Sequence, residues 1–464
     1  MRRLALLSFA LLIAGCTVGP KYRRPAIQTP AGYRGQAAQP AAQSSTASLG
    51  NEEWWEVFQD PILQQLIRTA LRQNLDLQIA ASRVMQAQAE LGITRANQFP
   101  MLGAGVEGYS ERNPKISSAF PSYQTNVGEA DLSVIWNLDF WGKYRRETEA
   151  ARAELLASEW GRREVITSVV SSVAAEYFQL RELDLALQIS QRTLASRQAS
   201  LRLTRVLAQN GSASRLDLRQ AEELVYTAAE AIPDLQRQIA QEENSLSTLL
   251  GENPTDIPRG KSLTEEPLLP APPAGLPSQL LERRPDIREA EENLIAANAE
   301  IGVARAAYFP DISLTGTTGF ESYSLSKLFT GSAGLWNVAG TLTQPIFEAG
   351  GLHAGVRLAQ AQQQEMLLTY KQTIIGAFQE VSDALVAYQK NREYSAQQAL
   401  LTSAAQDADR LSNALYQHGG ASYLQVLTSE TNYFAAELNL AQAELNQRLA
   451  LVQLYDALGG GWQR

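Results

Sequence analysis

The sequence predicts an α+β membrane protein built from an internal duplication, in which each half carries helices and one pair of strands. Between residues 283 and 308, small or apolar residues recur in steps of four and three, the period of a helix packed along a seam. After Phe309-Pro310 the apolar residues alternate with polar ones, as in a strand with two different faces. The same order of helix, Phe-Pro and strand occurs 210 residues earlier, around Phe99-Pro100. A recurrence of all three features at one offset indicates two similar halves.

The two predicted seams show the duplication residue by residue. The first predicted helix runs from about residue 74 to 98, and its counterpart begins at about residue 284. Their equivalent positions are Leu77, Ala80, Val84, Ala87, Leu91 and Thr94 in the first half, and Ile287, Ala290, Leu294, Ala297, Ile301 and Ala304 in the second.

The predicted strands are residues 101–111, 123–140, 311–323 and 333–345. The second is the clearest, because its even positions from Ala130 to Phe140 are all apolar and its odd positions are nearly all polar. A soluble sheet would also alternate, but segments of about ten residues with aromatic ends favour membrane-barrel strands. The polar faces would direct one set of carboxylates into the barrel lumen. There the carboxylates either make the lumen favour cations or only keep this face of the sheet hydrated. These are Glu107, Glu129, Asp131, Asp139, Asp311 and Glu321.

A barrel that spans a membrane may leave no strand edge in lipid, and the smallest such barrels have about eight strands. Four strands are therefore too few to close one. The chain must therefore combine with copies of itself. After each strand pair, a segment free of proline (142–209 and 351–417) predicts a very long helix, and a turn then reverses the chain into a second helix with heptad spacing. The two turns are Gly211, Ser212, Ala213 and Ser214, and Gly419, Gly420, Ala421 and Ser422.

The amino terminus carries an export signal. A basic start, a short apolar run and small residues precede Cys16, the only cysteine, in the pattern of a bacterial lipobox. We expect a signal peptide at residues 1–15 and a covalent lipid on Cys16, with an ordinary signal peptide and an incidental cysteine as the alternative. The predicted organisation continues with an extended arm (16–60), a first repeat (61–250), a connector (251–279), a second repeat (280–458) and a tail (459–464). The connector is recognised by seven prolines within residues 252–277.

Composition argues against several functions. A net charge of −9 provides no basic face for nucleic acid. The two histidines, His353 and His418, lie far apart without partners at metal-ligand spacing, and no Gly-rich phosphate loop is followed by lysine. We predict neither an enzyme nor a metal or other cofactor beyond the lipid.

Together these segments resemble the TolC and OprM family of outer-membrane efflux proteins, in its lipoprotein branch. The resemblance rests on the lipobox followed by GPKYRRP, on NGSASRLDL (210–218), LLGENP (249–254), LLERRPDIREAE (280–291) and QPIFEAGG (344–351), and on LDFWGK (138–143). It implies a homotrimer in the outer membrane, with a twelve-stranded β-barrel continued by a periplasmic α-helical barrel. It also implies two partners, a periplasmic membrane-fusion adaptor that meets the turns as tips and an inner-membrane pump, most simply of the RND type.

The same resemblance implies a constriction after the second turn. Leu424 matches an apolar ring, and the acidic ring falls on Thr428, with Gln425 and Glu430 nearby, so the charge of the constriction is left open. The predicted function is a passive, gated exit duct for drugs or other small toxic solutes. A duct for type I protein secretion and a structural coiled-coil lipoprotein without a pore are the alternatives.

Overall fold

The computed structural model describes residues 17–34, 48–114, 122–263, 265 and 273–462. Within these residues, no helix is both long and apolar enough to cross a membrane.

The two halves repeat the same series of elements. After α1 (Trp54–Val57), the first half contains α2 (Pro61–Gln73), α3 (Leu75–Ala96), β1 (Met101–Asn113), β2 (Tyr123–Asn137), α4 (Lys143–Gln209) and α5 (Arg215–Leu249). The second contains α6 (Pro277–Arg283), α7 (Pro285–Ala306), β3 (Asp311–Ser322), β4 (Gly334–Thr343), α8 (Gly351–Gln417) and α9 (Tyr423–Ala457). The equivalent helices have equal lengths: 22 residues in α3 and α7, 67 in α4 and α8, and 35 in α5 and α9.

The four strands form one antiparallel sheet in the order β1-β2-β3-β4. The register pairs even positions with even positions, for example Leu102 with Val134 and Ala104 with Leu132. One face of the sheet therefore collects the apolar side chains, and these are largely exposed, with Trp336 at 79%. The alternation predicted from sequence is thus a property of the whole sheet.

The chain divides into two compact units. The first combines residues Met1–Ala26, Arg83–Glu159 and Glu289–Lys371. It contains the sheet and an alanine-rich contact between α4 and α7, formed by Ala150, Ala153, Ala296 and Ala299. Small side chains at such positions let two helices approach closely.

The second unit combines Ile27–Ser82, Trp160–Arg288 and Gln372–Arg464. Its connector is fixed by Asp60, which is almost fully buried. The Asp60 carboxylate accepts hydrogen bonds from the Ile62 N–H (2.7 Å), the Tyr177 hydroxyl (2.9 Å) and the Lys261 N–H (3.0 Å). A Cβ on Gly260 would collide with this carboxylate, so only glycine allows the connector to approach it.

Candidate channel surfaces and constriction

The two helix-reversing turns have the same backbone conformation. Gly211 and Gly419 have φ of 75° and 74°. The next N–H, of Ser212 or Gly420, donates to the carbonyl five residues before it at 2.8 Å, which is the helix-ending pattern that places glycine in the left-handed region. Ser214 and Ser422 then cap α5 and α9. The eight predicted tip residues are exposed or half-buried, so both turns are available to a partner.

Leu424 and Thr428 lie on one exposed face of α9, four residues apart. Leu424 is 61% exposed. The two residues border a groove of about 800 Å³ whose other wall is the alanine-rich face of α8, including Ala404 and Ala408. Gln425 also lines this groove, and its amide oxygen caps the helix by accepting from the Ser422 N–H at 3.2 Å.

Glu430, predicted to belong to the constriction, lies away from the exposed face that carries Leu424 and Thr428. Glu430 is only 8% exposed and accepts a hydrogen bond from the Ser200 hydroxyl of α4 at 3.1 Å. Six residues separate it from Leu424, which is about 240° around a helix, so the two side chains point to different sides. Its spacing of seven from buried Tyr423 could have revealed this, because residues seven apart share a seam.

The polar face of the sheet brings three predicted lumen carboxylates together. Glu107 is paired with Glu129, and Glu129 with Glu321, so the three form a row across β1, β2 and β3. Asp131 shares this face, and Asp311 pairs with Thr343 at the start of β3. Like charges directly opposite each other destabilise a sheet, so this row of carboxylates requires a face of the sheet that is in contact with water.

Asp139 has a different role from the one predicted. It follows the end of β2, and its carboxylate accepts from the backbone N–H groups of Tyr144 (3.2 Å) and Arg145 (2.9 Å) and pairs with the Arg145 guanidinium at 3.2 Å. It thereby satisfies N–H groups at the start of α4, which have no partner within the helix. Asp139 was predicted to face the barrel lumen, but its carboxylate is engaged at the start of α4 instead.

Two adjacent arginines of the LLERRPDIREAE segment (280–291), to which the sequence alone assigned no role, connect several parts of the second unit. Arg284 is buried and forms an ion pair with Asp286 (2.7 Å) and another with Glu380 of α8 (2.6 Å). It also donates to the Ala457 carbonyl at the end of α9, at 3.0 Å. Its neighbour Arg283 donates to the Ser48 hydroxyl at 2.7 Å. We call Arg283 and Arg284 the arginine clamp, because they join four separate segments of the second unit.

The amino-terminal arm is fixed within the first unit. The Val18 N–H donates to the Trp141 carbonyl (3.0 Å), and the Arg146 side chain of α4 donates to the Val18 carbonyl (3.2 Å). Trp141 stacks on Phe309 with ring centroids 4.7 Å apart. The predicted lipidation site Cys16 lies outside the described residues. Within the described residues, no group of three or more His, Cys, Asp or Glu side chains could hold a metal ion.

A sheet with one apolar face, followed in each half by a long helical hairpin, is shared with several solved bacterial outer-membrane channels. The chain superposes on the open-state MtrE outer membrane channel of Neisseria gonorrhoeae with a TM-score of 0.87, at 31% identity, over 97% of this chain and 99% of that one. It is 38% identical to the cation efflux system protein CusC of Escherichia coli, over 98% of both chains. It is also 38% identical to the probable efflux pump outer membrane protein TtgC of Pseudomonas putida, over 99% of this chain and 95% of that one.

The chain belongs to the outer membrane efflux protein family, whose model matches residues 66–252 and 276–460. It is an outer-membrane efflux channel protein that extends into the periplasm. The predicted fold class, efflux function and location are thereby confirmed.

Proposed function

We propose that the chain is the exit duct of a tripartite pump and works with a periplasmic membrane-fusion adaptor and an inner-membrane transporter of the RND type. Solutes would pass through a water-filled path lined by the polar face of the sheet, while the transporter supplies the energy. The exposed apolar face, set by the register of all four strands, carries this proposal because it fits a protein surrounded by outer-membrane lipid.

The edges of the sheet support assembly with further copies of the chain, and a homotrimer fits this requirement. In the described part of the chain, no further strand pairs with β1 or β4, which would leave a row of backbone groups unpaired in hydrocarbon. Because neighbouring strands alternate in direction and their number is even, β4 of one copy can pair antiparallel with β1 of the next. Three copies of a four-stranded sheet give the twelve strands of the expected barrel.

A lipid on Cys16 would add a second attachment to the membrane. Thr17, the next residue, lies against Gly142, where a Cβ would approach the Thr17 Cα to 3.0 Å. This places the start of the arm beside the junction of the sheet and α4. A lipid anchor at that level is consistent with the aromatic pair of Trp141 and Phe309, since aromatic residues favour the membrane interface.

The row of Glu107, Glu129 and Glu321 would make the barrel lumen favour cations. Replacing all three with glutamine should lower the ratio of cation to anion permeability, measured as the reversal potential of single channels under a salt gradient. Glu90→Gln on α3 is the control, because Glu90 is exposed but outside the sheet. An unchanged reversal potential in the triple variant would assign the row to solvation alone.

We propose that Leu424 and Thr428 form the periplasmic constriction of the trimer. Leu216 is a matched control, because it is the second residue of α5 as Leu424 is of α9 and is similarly exposed, at 65%. In a deletion strain, the wild-type chain should restore resistance to toxic compounds. Leu424→Ala should also admit large antibiotics that the outer membrane normally excludes, whereas Leu216→Ala should not.

Susceptibility tests and conductance measurements together separate this function from the two alternative functions. Resistance to organic compounds or to metal cations names the substrate class, which sequence similarity leaves open because CusC and TtgC are equally identical to this chain. Loss of one secreted protein without any change in susceptibility would instead indicate type I secretion. A purified chain that forms no conducting channel in planar bilayers would point to the structural lipoprotein.

A further inference from the structure

A polar cavity that is partly open to solvent lies in the helical bundle of the second unit, on the side of the turn between α8 and α9. Its volume is about 290 Å³, and it is lined by residues of α4, α8 and α9. Five charged side chains face it: Arg192 and Arg197 from α4, Asp409 from α8, and Glu430 and Glu437 from α9. We call these residues the charge cluster. It is separate from the groove beside Leu424, and none of its members belongs to the exposed constriction face.

The charges in the cluster do not balance. Arg192 forms an ion pair with Glu437, which leaves Arg197 facing two carboxylates, Asp409 and Glu430. With every group ionised, the cluster would carry one surplus negative charge. Burial of an uncompensated charge is costly, and a carboxylate in that position tends to bind a proton instead.

Arg197 does not neutralise either carboxylate directly. It is only 2% exposed, and its Nη1 donates to the Leu224 carbonyl of α5 at 2.9 Å. Its guanidinium carbon lies 4.9 Å from the centre of the Phe434 ring. Among the described residues, Arg197 forms no ion pair, and its Nε has no hydrogen-bond partner. The guanidinium is therefore held between α5 and α9 by a backbone carbonyl and an aromatic ring.

Glu430 is the second buried group with a free atom. One of its carboxylate oxygens accepts from Ser200, but Oε2 has no partner in the described structure. A protonated carboxyl group would gain a donor at this atom. Asp409 is better satisfied, because its Oδ1 accepts from the Asn413 amide of the same helix at 3.0 Å.

We propose that this cavity binds one proton, shared by Glu430 and Asp409, and that its occupancy controls how firmly the α8–α9 hairpin is held against α4. The proton removes the surplus charge and lets Glu430 stay packed against Ser200. When the proton leaves, the two carboxylates repel each other, and separation of the hairpin from α4 hydrates both. Outward movement of this hairpin would widen the periplasmic end of the duct, so the inference rests on the proposed function for its physiological meaning.

The electrostatic environment of Glu430 and Asp409 favours binding of the proton in the packed state. Burial raises the pKa of the Glu430 carboxyl and the neighbouring Asp409 raises it further, while Ser200, Arg197 and Asn413 oppose the shift without cancelling it. Burial likewise raises the pKa of Asp409, against smaller opposing contributions from Arg197 and Asn413. The other groups facing the pair are Arg192 and Arg197 on α4 and Tyr423, Tyr433 and Glu437 on α9, while α5 contributes the Leu224 carbonyl. Burial also raises the pKa of both tyrosines, so neither supplies negative charge near neutral pH.

The sign of the pH dependence follows from these shifts. A carboxyl group whose pKa is higher in the packed state than in the hydrated state binds its proton more tightly when packed. The packed contact is then fully stabilised below the ordinary carboxyl pKa and weakens as pH rises through the raised pKa. One linked proton changes the ratio of packed to separated hairpin by at most about tenfold per pH unit.

The test is hydrogen–deuterium exchange of the purified protein in detergent, at several pH values and corrected for the intrinsic pH dependence of exchange. Protection of the backbone around residues 424–434 should fall by up to about tenfold per pH unit as pH rises. Glu430→Gln mimics the protonated group, so its protection should not change with pH. Asp409→Asn removes the surplus negative charge at the other carboxylate, so its protection around residues 424–434 should also become independent of pH.

Glu444→Gln is the matched control on the same helix. Burial raises the pKa of Glu444 too, but the charged group that faces it is Arg448 rather than a second carboxylate. It should therefore keep the wild-type slope around residues 424–434. A wild-type protein without a slope, or a Glu430→Gln variant that keeps it, would overturn the proposal. Because exchange needs neither transporter nor transport, this result is independent of the proposed pump partners and of the proposed constriction.

Discussion

The contact between the connector and α4 offers a sharp test of the second unit, through the single substitution Tyr177→Phe. The Tyr177 side chain is buried, and its hydroxyl donates to Asp60 at 2.9 Å while accepting from the Gly260 N–H at 2.8 Å. Removing this oxygen leaves the Gly260 N–H without an acceptor and Asp60 without one donor. An unsatisfied buried polar group costs about 1–3 kcal/mol, so we expect the contact to weaken by about 2 kcal/mol.

The expected loss corresponds to a roughly thirtyfold increase in local opening, because about 1.4 kcal/mol is a factor of ten. Residue-resolved hydrogen exchange can measure it at the Lys261 N–H, which keeps its own bond to Asp60 in the variant. Faster exchange there reports loosening of the whole connector rather than the loss of one bond. Tyr226→Phe is the control, because Tyr226 is 67% exposed. If Lys261 exchanges at the wild-type rate in Tyr177→Phe, the connector is held by other contacts and the reasoning fails.

Three further predictions concern the arginine clamp, the turns and a half-buried carboxylate on α5. Arg284→Gln should destabilise the folded protein by about 3 kcal/mol, because it removes the buried guanidinium that pairs with Asp286 and Glu380. A thermal-unfolding midpoint equal to that of the wild type would contradict this. Gly419→Ala should cost about 1–2 kcal/mol in the same assay because its φ is 74°, whereas Gly376→Ala, inside α8 with open space around it, should stabilise slightly. Burial, with a smaller contribution from Glu176, raises the pKa of Glu242 to about 7, so its contribution to stability should be present at acidic pH and be lost as pH rises through 7. Glu242→Gln should therefore reduce the pH dependence of the unfolding midpoint between pH 6 and 8, and an unchanged dependence would contradict this.

The turns and the faces of the strands were readable from the sequence because their causes are local. A glycine followed by a serine cap ends one helix and starts the next wherever that pattern occurs, and it occurs at both Gly211 and Gly419. Strand alternation depends only on the geometry of an extended chain, so the apolar face could be predicted before the register was known. The long helices α4 and α8 likewise followed from two segments without proline.

The roles of individual charged residues needed the tertiary structure. Asp139 lies beyond the end of its strand and caps α4, a change that depends on where β2 ends. Glu430 is polar and close in sequence to the constriction, yet packing of α9 against α4 buries it. The arginine clamp joins segments that are far apart along the chain, and no local pattern specifies such partners.

The sequence by itself therefore determined the duplicated architecture, the membrane-facing surface of the sheet and the family, because periodicity and turn chemistry act over a few residues. Only the tertiary structure decided which carboxylates lie in a row, which one caps a helix and which one is buried beside Arg197. The physical reason is that the pKa and the partners of a charged side chain depend on burial and on neighbours from other elements, which the chain brings together only when it folds.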